Sequence, residues 1–289
     1  MKVYDSFLFF NEIDLLKLRM EILKDVVDHF VIVESTTTFS SKDKKLFYDG
    51  SKELFKEFSD KIIHVVIDNT PATFSTLNYI SNPSTSSDIL ENKILKHIEE
   101  STGWDRNNPN HNQWGVETYQ RESIARGLID CRDDDIIIIS DVDEVPNPVE
   151  VNNIKDSFHG VYAFRQDMYF YYLNMLKERN WSGPKACSFE KLKTISLNSL
   201  RRDEHTTTTI SQGGWHFSFM GGEKKIIEKI EAYAHQEFNN DHIKCNIKNN
   251  IDNNNDLFFR GQLTQVPIDE TYPKYLLENL DKYSEMIKK

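Results

Sequence analysis

The chain has 289 residues, of which 38% are hydrophobic and 28% charged, so we expect a folded protein with a sizeable core rather than a disordered one. Its net charge of -11 argues against nucleic-acid binding as the main task, because phosphate recognition needs a basic surface. No apolar stretch reaches the roughly 18 residues of a membrane span, and acidic residues interrupt the first apolar run, unlike a secretory signal. We therefore expect no membrane span, and either a cytoplasmic protein or one whose membrane anchor has been removed.

The first 150 residues alternate strand and helix signals. Short apolar runs predict buried strands, and apolar residues recurring at helical spacing predict helices. In chain order the predicted elements are a strand at Val3–Phe10, a helix at Ile13–Val27, a strand at His29–Glu34, a short helix at Ser51–Ser59, a strand at Lys61–Asp68, helices at Asp88–Glu100 and Gln113–Cys131, and a strand at Asp135–Ser140. This alternation predicts parallel strands covered by helices, with ligands beyond the carboxyl ends of the strands.

Aromatic, strand-like segments follow Pro148. The predicted elements are strands at Val161–Asn174, Cys187–Leu197 and Gly213–Met220, and helices at Glu223–His235 and Tyr272–Tyr283. The Asn-rich tract Asn246–Asn255 predicts a polar surface loop. No linker-like segment separates the two halves, so we expect one α/β domain over residues 1–289 with a mixed central sheet.

The most informative segment is DIIIISDVDEVPNP at Asp135–Pro148, where an apolar strand leads directly into the carboxylates of Asp141, Asp143 and Glu144. Three carboxylates this close repel one another unless a cation or several hydrogen-bond donors neutralise them. Oxygen ligands suit Mn²⁺ or Mg²⁺, and such an ion can hold a diphosphate and stabilise it as a leaving group. The alternative is a solvated acidic turn.

Two further polar residues are candidates for the same site. His216 in GGWHFSFM becomes a third metal ligand if the sheet brings it near Asp143, although a histidine in an aromatic strand is more often a core residue. Arg121, on the helix before the acidic segment, could reach a phosphate or hold a carboxylate, or it could form a surface salt bridge.

Polar residues also follow the first two predicted strands. Asn11 and Glu12 come after the first strand, and Glu34 ends the second, where a nucleotide base and ribose lie in a doubly wound sheet. Helix capping explains Asn11 and Glu12 almost as well.

Several aromatic residues of the second half could form a sugar-binding platform, because sugar rings stack on aromatic faces. The candidates are Tyr171, Trp181 and Trp215, and Trp181 is favoured because its surroundings read as a loop. Core packing is the commoner cause of such aromatic runs.

Five blocks of the sequence together resemble glycosyltransferase family 17, the β-1,4-mannosyl-glycoprotein β-1,4-N-acetylglucosaminyltransferases that add bisecting GlcNAc. The blocks are FFNEIDLLKLRMEILKDVVDHFVIVEST, QRESIARGL, DDDIIIISDVDEVPNP, GGWHFSF and YPKYLLEN. The resemblance implies a GT-A-like, Rossmann-like fold, a UDP-GlcNAc donor, Mn²⁺ dependence and inversion at the anomeric carbon. It also implies that Asp141 and Asp143 form the metal and nucleotide-sugar motif and that His216 is the histidine of the Gly-Trp-His block.

The same resemblance divides the chain into a nucleotide-sugar-binding half, residues 1–150, and an acceptor-side half, residues 151–289. GT-A geometry makes Glu12, Glu34 and Arg121 donor-site candidates. The regions Asn69–Asn112 and Gly183–Thr209 lie outside these blocks and match no part of the family pattern, and we expect the anchor and stem of animal Golgi members to be absent. Bisecting-GlcNAc specificity therefore does not transfer to this chain.

These expectations describe a single displacement, in which a carboxylate deprotonates an acceptor hydroxyl of a glycan. Glu144 is the first candidate for this base because it adjoins the metal motif, and Glu223 is its rival. Three alternatives stay open: another donor such as UDP-glucose, UDP-galactose or UDP-GalNAc, a metal-dependent phosphohydrolase, and a non-catalytic glycan-binding protein.

Overall fold

A computed structural model of the chain describes residues 1–156 and 158–289. The strands are β1 (Val3–Leu8), β2 (His29–Ser35), β3 (Ile62–Ile67), β4 (Ile136–Asp141), β5 (Glu144–Pro146), β6 (Val161–Phe170), β7 (Met175–Ser188), β8 (Thr208–Ser218) and β9 (Thr264–Gln265). The helices are α1 (Ile13–Leu23), α2 (Ser86–Glu99), α3 (Asn112–Glu122), α4 (Pro148–Lys155), α5 (Phe189–Leu192), α6 (Leu197–Arg201), α7 (Gly222–Ala232), α8 (Asp241–Asp252) and α9 (Lys274–Glu278). None of these helices is long and apolar enough to cross a bilayer.

Short 3₁₀ segments complete the secondary structure. They lie at Asp49–Lys61, Pro109–His111, Ser123–Gly127, Gln236–Phe238 and Leu280–Met286. The first of them replaces the short helix predicted at Ser51–Ser59. The third extends α3 toward the end of the helix predicted at Gln113–Cys131.

One sheet runs through the molecule in the order β3-β2-β1-β4-β7-β6-β8-β5, with β9 beside β7. The first four strands are parallel, whereas β4 and β7 pair antiparallel, which confirms the predicted mixed sheet. The chain moves outward from β1 to β2 and β3, then returns as β4 on the other side of β1. A crevice opens at such a reversal beyond the carboxyl ends of the strands, here where Leu8 lies opposite Asp141.

The sheet curls because two of its strands are almost consecutive in sequence but far apart in strand order. β4 ends at Asp141 and β5 begins at Glu144, yet β5 lies at the opposite edge, beside β8. Glu144 pairs with His216 in this register. The curl therefore brings the acidic turn next to the Gly-Trp-His strand, an arrangement that sequence spacing does not reveal.

Apolar side chains cover both faces of the sheet. On one face α1 packs with Leu15, Leu16 and Leu18 buried, and on the other α2 and α3 pack with residues such as Ile94 and Tyr119 buried. A third cluster joins the ends of β6 and β8 to α7 and α8. These layers confirm the predicted α/β fold with a Rossmann-like, GT-A-like sheet.

Four predicted elements are wrong in detail. The strand predicted at Cys187–Leu197 is the end of β7 followed by α5 and α6, whose first turns are capped by the hydroxyls of Ser188 and Ser196. The predicted loop at Asn246–Asn255 lies mostly in α8, which buries Ile243 and Ile247. The closing helix at Tyr272–Tyr283 is split into α9 and a 3₁₀ segment, and Trp181 lies in β7 rather than in a loop.

Candidate active site

A cavity of about 770 Å³ lies at the reversal point between β1 and β4 and extends toward β6, β7 and α7. This volume is typical of small-molecule sites. The charged residues and histidines in its lining are Glu12, Lys44, Glu117, Arg121, Asp141, Asp143, Lys177, Glu178, His216, Lys229, His235 and Arg260. The site therefore draws on both halves of the chain and mixes acidic with basic side chains.

Asp141 lies at the end of β4 with its carboxylate in the cavity wall. Arg121 Nη1 donates to Asp141 Oδ1 at 3.0 Å, and Arg201 Nη2 lies 3.4 Å from Oδ2. Desolvation acts to raise the pKa of Asp141, but the two guanidinium groups outweigh it and hold that pKa well below its usual range. Arg121 also donates to Glu117 at 2.9 Å, so its orientation is fixed from two sides.

Asp143 is buried and carries a different counter-ion. Lys229 Nζ on α7 donates to Asp143 Oδ2 at 2.6 Å, and His216 Nε2 lies 3.6 Å from Oδ1. Burial acts to raise the pKa of Asp143, yet Lys229 and His216 lower it far below its usual range. Lys229 also lies 3.8 Å from Glu12, and the two carboxylates raise its pKa against the opposing effect of burial.

Glu144, the first candidate for the base, is buried and is not among the residues that line the cavity. It forms an ion pair with Arg201, and Trp181 Nε1 donates to Oε1 at 3.3 Å. Its other oxygen accepts from the backbone N–H of Asp141 at 3.1 Å. These contacts hold the acidic turn in shape, and they give no support to a base role, which stays a prediction. Glu223 is exposed at the start of α7 and does not line the cavity either.

A buried arginine, Arg19, donates hydrogen bonds to the backbone of the acidic turn. Arg19 on α1 is fully buried and pairs with Asp5, its Nε donating to Oδ2 at 2.7 Å. Its Nη1 donates to the carbonyls of Asp141, Val142 and Glu144 at 3.0, 3.2 and 2.8 Å. These bonds satisfy carbonyl groups that would otherwise be left unpaired after the strand ends. The sequence analysis missed Arg19, and the signal that could have identified it is an arginine within an apolar helical stripe.

The three predicted metal ligands, Asp141, Asp143 and His216, all line this one cavity. Two carboxylates and an imidazole suit Mn²⁺ or Mg²⁺ by chemistry, and the buried Nδ1 of His216 has no hydrogen-bond partner among the residues described. No group of three side chains in the described ranges is already gathered for metal binding. The Lys229 ammonium occupies the position beside Asp143, so an ion bound there would have to displace it.

Of the five predicted nucleotide-binding residues, Arg121 and Asp141 line the cavity, and the three that follow the first two strands divide into one that faces it and two that do not. Glu12 lines the cavity, whereas Asn11 lies outside it and donates to Glu228 at 3.0 Å. Glu34 is fully buried and accepts from the backbone N–H groups of Phe47 and Tyr48. Its contacts order the segment after β2 rather than reach a ligand.

That segment carries Lys44, a cavity residue that the sequence patterns did not single out. Its Nζ lies 3.7 Å from Glu34 and 5.7 Å from the ring centroid of Phe10. Burial lowers the pKa of Lys44, and Glu34 partly opposes this effect. A cation and an aromatic ring at the ends of β1 and β2 form a surface suited to a planar base and its attached ribose phosphate.

The predicted acceptor residues also divide. Trp181 lines the cavity, is 36% exposed and has its ring centroid 5.6 Å from that of His216. Trp215 is buried, lies outside the lining and donates from Nε1 to the carbonyl of Thr271 at 3.1 Å. Tyr171 is likewise a core residue, and its hydroxyl donates to the carbonyl of Asn255 at 3.0 Å. Further aromatic residues of the lining are Phe170, Phe219, Tyr233, Phe238 and Phe258.

Comparison with a family model identifies the family of the chain. No curated protein sequence matches the chain. The family model described as Glycosyltransferase family 17 matches residues 1–82 and 69–287, which together include every residue of the cavity lining. Nearly the whole chain is covered by this match, and the chain therefore belongs to glycosyltransferase family 17.

Proposed function

We propose that this chain is a divalent-cation-dependent, inverting glycosyltransferase that moves GlcNAc from UDP-GlcNAc to a hydroxyl group of a glycan. Sugar transfer as such follows from the family, and the donor sugar, the metal and the stereochemistry are the proposal. The observation that carries it is the pair Asp141 and Asp143, which faces a nucleotide-sized cavity at the reversal point of the sheet.

The lining supports a nucleotide at one end of the cavity. Phe10, Glu12 and Lys44 lie at the ends of the first two strands, where the uracil and ribose would bind. Arg121 and Lys229 supply positive charge beside the two aspartates, where the diphosphate would bind. The sugar would then extend toward the aromatic side of the cavity and Trp181.

Asp141, Asp143 and His216 would hold the Mn²⁺ or Mg²⁺ ion. When bound, such an ion neutralises charge on the diphosphate as it becomes a leaving group. Arg121 stays in contact with Asp141 and fixes its carboxylate, while Arg19 holds the backbone of the turn beneath. Because these groups are oriented before substrate binds, little reorganisation is needed during transfer.

The transfer itself is one displacement. The acceptor oxygen forms a bond to the anomeric carbon as the bond from that carbon to the β-phosphate oxygen breaks. The electron pair leaves with UDP, and the acceptor proton passes to a base of the protein. Attack from the face opposite UDP inverts the anomeric centre.

Release of UDP from a panel of donors tests the proposal. UDP-GlcNAc, UDP-glucose, UDP-galactose and UDP-GalNAc would each be incubated with a mixture of glycans, with either EDTA or MnCl₂. We expect turnover of UDP-GlcNAc that stops in EDTA and returns with Mn²⁺. Preference for another sugar would overturn the donor assignment, and undiminished activity in EDTA would overturn the metal requirement. Release of phosphate from simple phosphoesters without any use of UDP-sugars would indicate a phosphohydrolase instead.

A further inference from the structure

The carboxylates that line the cavity differ in whether they carry a counter-ion. Glu117 pairs with Arg121 at 2.9 Å, Asp141 with Arg121 at 3.0 Å, Asp143 with Lys229 at 2.6 Å, and Glu12 with Lys229 at 3.8 Å. Glu178 lines the same cavity and is exposed, yet its carboxylate has no ion pair and no hydrogen bond within the described part of the chain. It is therefore the free carboxylate of the lining.

This difference matters for proton transfer. A carboxylate bound by a guanidinium or ammonium group is stabilised in its charged form and becomes a poorer proton acceptor. A general base also needs a lone pair that can reach the acceptor hydroxyl. Among the carboxylates of the lining, both requirements favour Glu178 over the ion-paired residues.

The sheet register places Glu178 two strands from His216, the histidine beside Asp143. Glu178 on β7 lies opposite Met168 on β6, and Met168 lies opposite His216 on β8. All three line the cavity. With neighbouring strands about 4.8 Å apart, the backbones of Glu178 and His216 are separated by about 10 Å. That span accommodates a sugar ring and an acceptor hydroxyl within about 3–3.5 Å of the anomeric carbon.

Glu178 also lies where an acceptor would arrive. Trp181, the exposed aromatic residue of the lining, is on the same strand, and Phe170 and Phe258 also line the cavity. An apolar surface of this kind binds the C–H face of a sugar and directs its hydroxyl groups toward the nearest polar side chain.

We propose that Glu178 is the general base of the transfer reaction. The acceptor hydroxyl proton moves to the Glu178 carboxylate as the acceptor oxygen bonds to the anomeric carbon and UDP departs with the electron pair of the broken bond. The proton is later released to solvent. This inference rests on the proposed function, since it requires a bound UDP-sugar at the aspartates.

His235 is the rival base. It lines the cavity, and its Nδ1 lies 2.7 Å from Glu237 Oε1, which would leave Nε2 available. Its segment, however, adjoins the nucleotide side, because Ser40 donates from its backbone N–H to the carbonyl of Ala232 at 3.1 Å. The geometry favours Glu178, and His235 becomes an outcome of the test.

The experiment compares E178Q, E178D and H235N with the wild-type chain, and uses E190Q, an exposed glutamate outside the cavity, as the matched control. Turnover of UDP-GlcNAc and its Kd, measured by calorimetry, are followed separately. We expect E178Q to lower kcat about 100–1,000-fold with an unchanged donor Kd, and E178D to retain more activity than E178Q. E190Q and the wild type should behave alike.

Three results would overturn the assignment. The first is a loss of kcat of less than about tenfold in E178Q. The second is an equal loss of kcat and of donor affinity in E178Q. The third is a larger loss of kcat in H235N than in E178Q. Failure of the proposed function is distinguishable from these, because a wild-type chain that turns over no UDP-sugar removes both proposals. A wild type that transfers sugar while E178Q remains active removes the base assignment alone.

Discussion

The two walls of the cavity are built in opposite ways. The wall formed by the acidic turn at Asp141–Glu144 carries carboxylates that are paired with basic side chains. Arg19 bonds its backbone, and Arg201 and Lys229 neutralise its carboxylates. The other wall, formed by Glu178 and Trp181 of β7 with Phe170 and Phe258, is aromatic, and its carboxylate, Glu178, has no partner among the residues described.

The two walls therefore suit different tasks: one suits donor binding and the other suits acceptor binding and proton transfer. Charges that are held in place by hydrogen bonds suit a wall that must bind the same diphosphate in every cycle. An exposed tryptophan and an unpaired carboxylate suit a surface that receives acceptors and exchanges protons. Substitutions in the first wall should therefore impair stability and donor binding, whereas those in the second should impair acceptor use.

The largest expected effect lies beneath the acidic turn. Arg19→Met should lower the free energy of unfolding by about 3–5 kcal/mol, because it leaves the buried Asp5 carboxylate and three carbonyl groups without their donor. Denaturant titration followed by fluorescence measures this change.

A double variant serves as its control. Combining Asp5→Leu with Arg19→Met removes the orphaned charge and should recover part of the lost stability. If Arg19→Met alone unfolds at the wild-type denaturant concentration, the turn is not held by this arginine.

The second effect concerns the turn itself. Asp143→Ala should lower kcat/KM about 100–1,000-fold and abolish the response to Mn²⁺, since the side chain is proposed to hold the ion. A metal titration of UDP release measures both quantities. Unchanged activity with an unchanged metal response would remove Asp143 from the donor site.

The junction of the two walls gives a third, smaller effect. Gly214 on β8 has φ of 136°, and a Cβ there would lie 2.1 Å from the carbonyl oxygen of Val145 on β5. Gly214→Ala should therefore cost about 1–3 kcal/mol of stability and move His216 away from Asp143. Thermal melting is the measurement, and Gly50→Ala, which meets no atom within 4 Å, should melt like the wild type.

The smallest effect is expected on the aromatic wall. Trp181→Ala should raise the acceptor KM about tenfold and leave the donor Kd unchanged, because it removes an exposed stacking surface. Trp215→Phe is the contrast, since this buried side chain should affect the melting temperature and not the acceptor KM. An acceptor KM that responds to Trp215→Phe but not to Trp181→Ala would reverse the assignment of the walls.

The rule that ligands bind beyond the carboxyl ends of parallel strands explains which site residues the sequence predicted. It brought Glu12, Asp141 and Asp143 to one site, because the carboxyl ends of parallel strands meet at one edge, and Arg121 joins them from α3. Period-two alternation would have separated two other candidates. Trp215 and His216 are neighbours on one strand, so only one of them can face the cavity, and that one is His216.

The counter-ions were beyond sequence reasoning. Arg201 lies outside the five sequence blocks that resemble the family, and its partner Glu144 is 57 residues away in the chain. Lys229 contacts Asp143 because the sheet curls and α7 packs beside the cavity. Glu178 differs from the other carboxylates of the lining only in its side-chain contacts, which the sequence does not reveal.

The acidic turn is proposed to bind a diphosphate with the help of a divalent ion. Titration calorimetry of UDP-GlcNAc into the wild-type chain, in EDTA and then in MnCl₂, tests it most directly. We predict that Mn²⁺ tightens binding at least about tenfold, equal to about 1.4 kcal/mol, and that Asp143→Ala loses this gain. Equal affinity in both buffers, or no binding of any uridine diphosphate compound, would contradict the account.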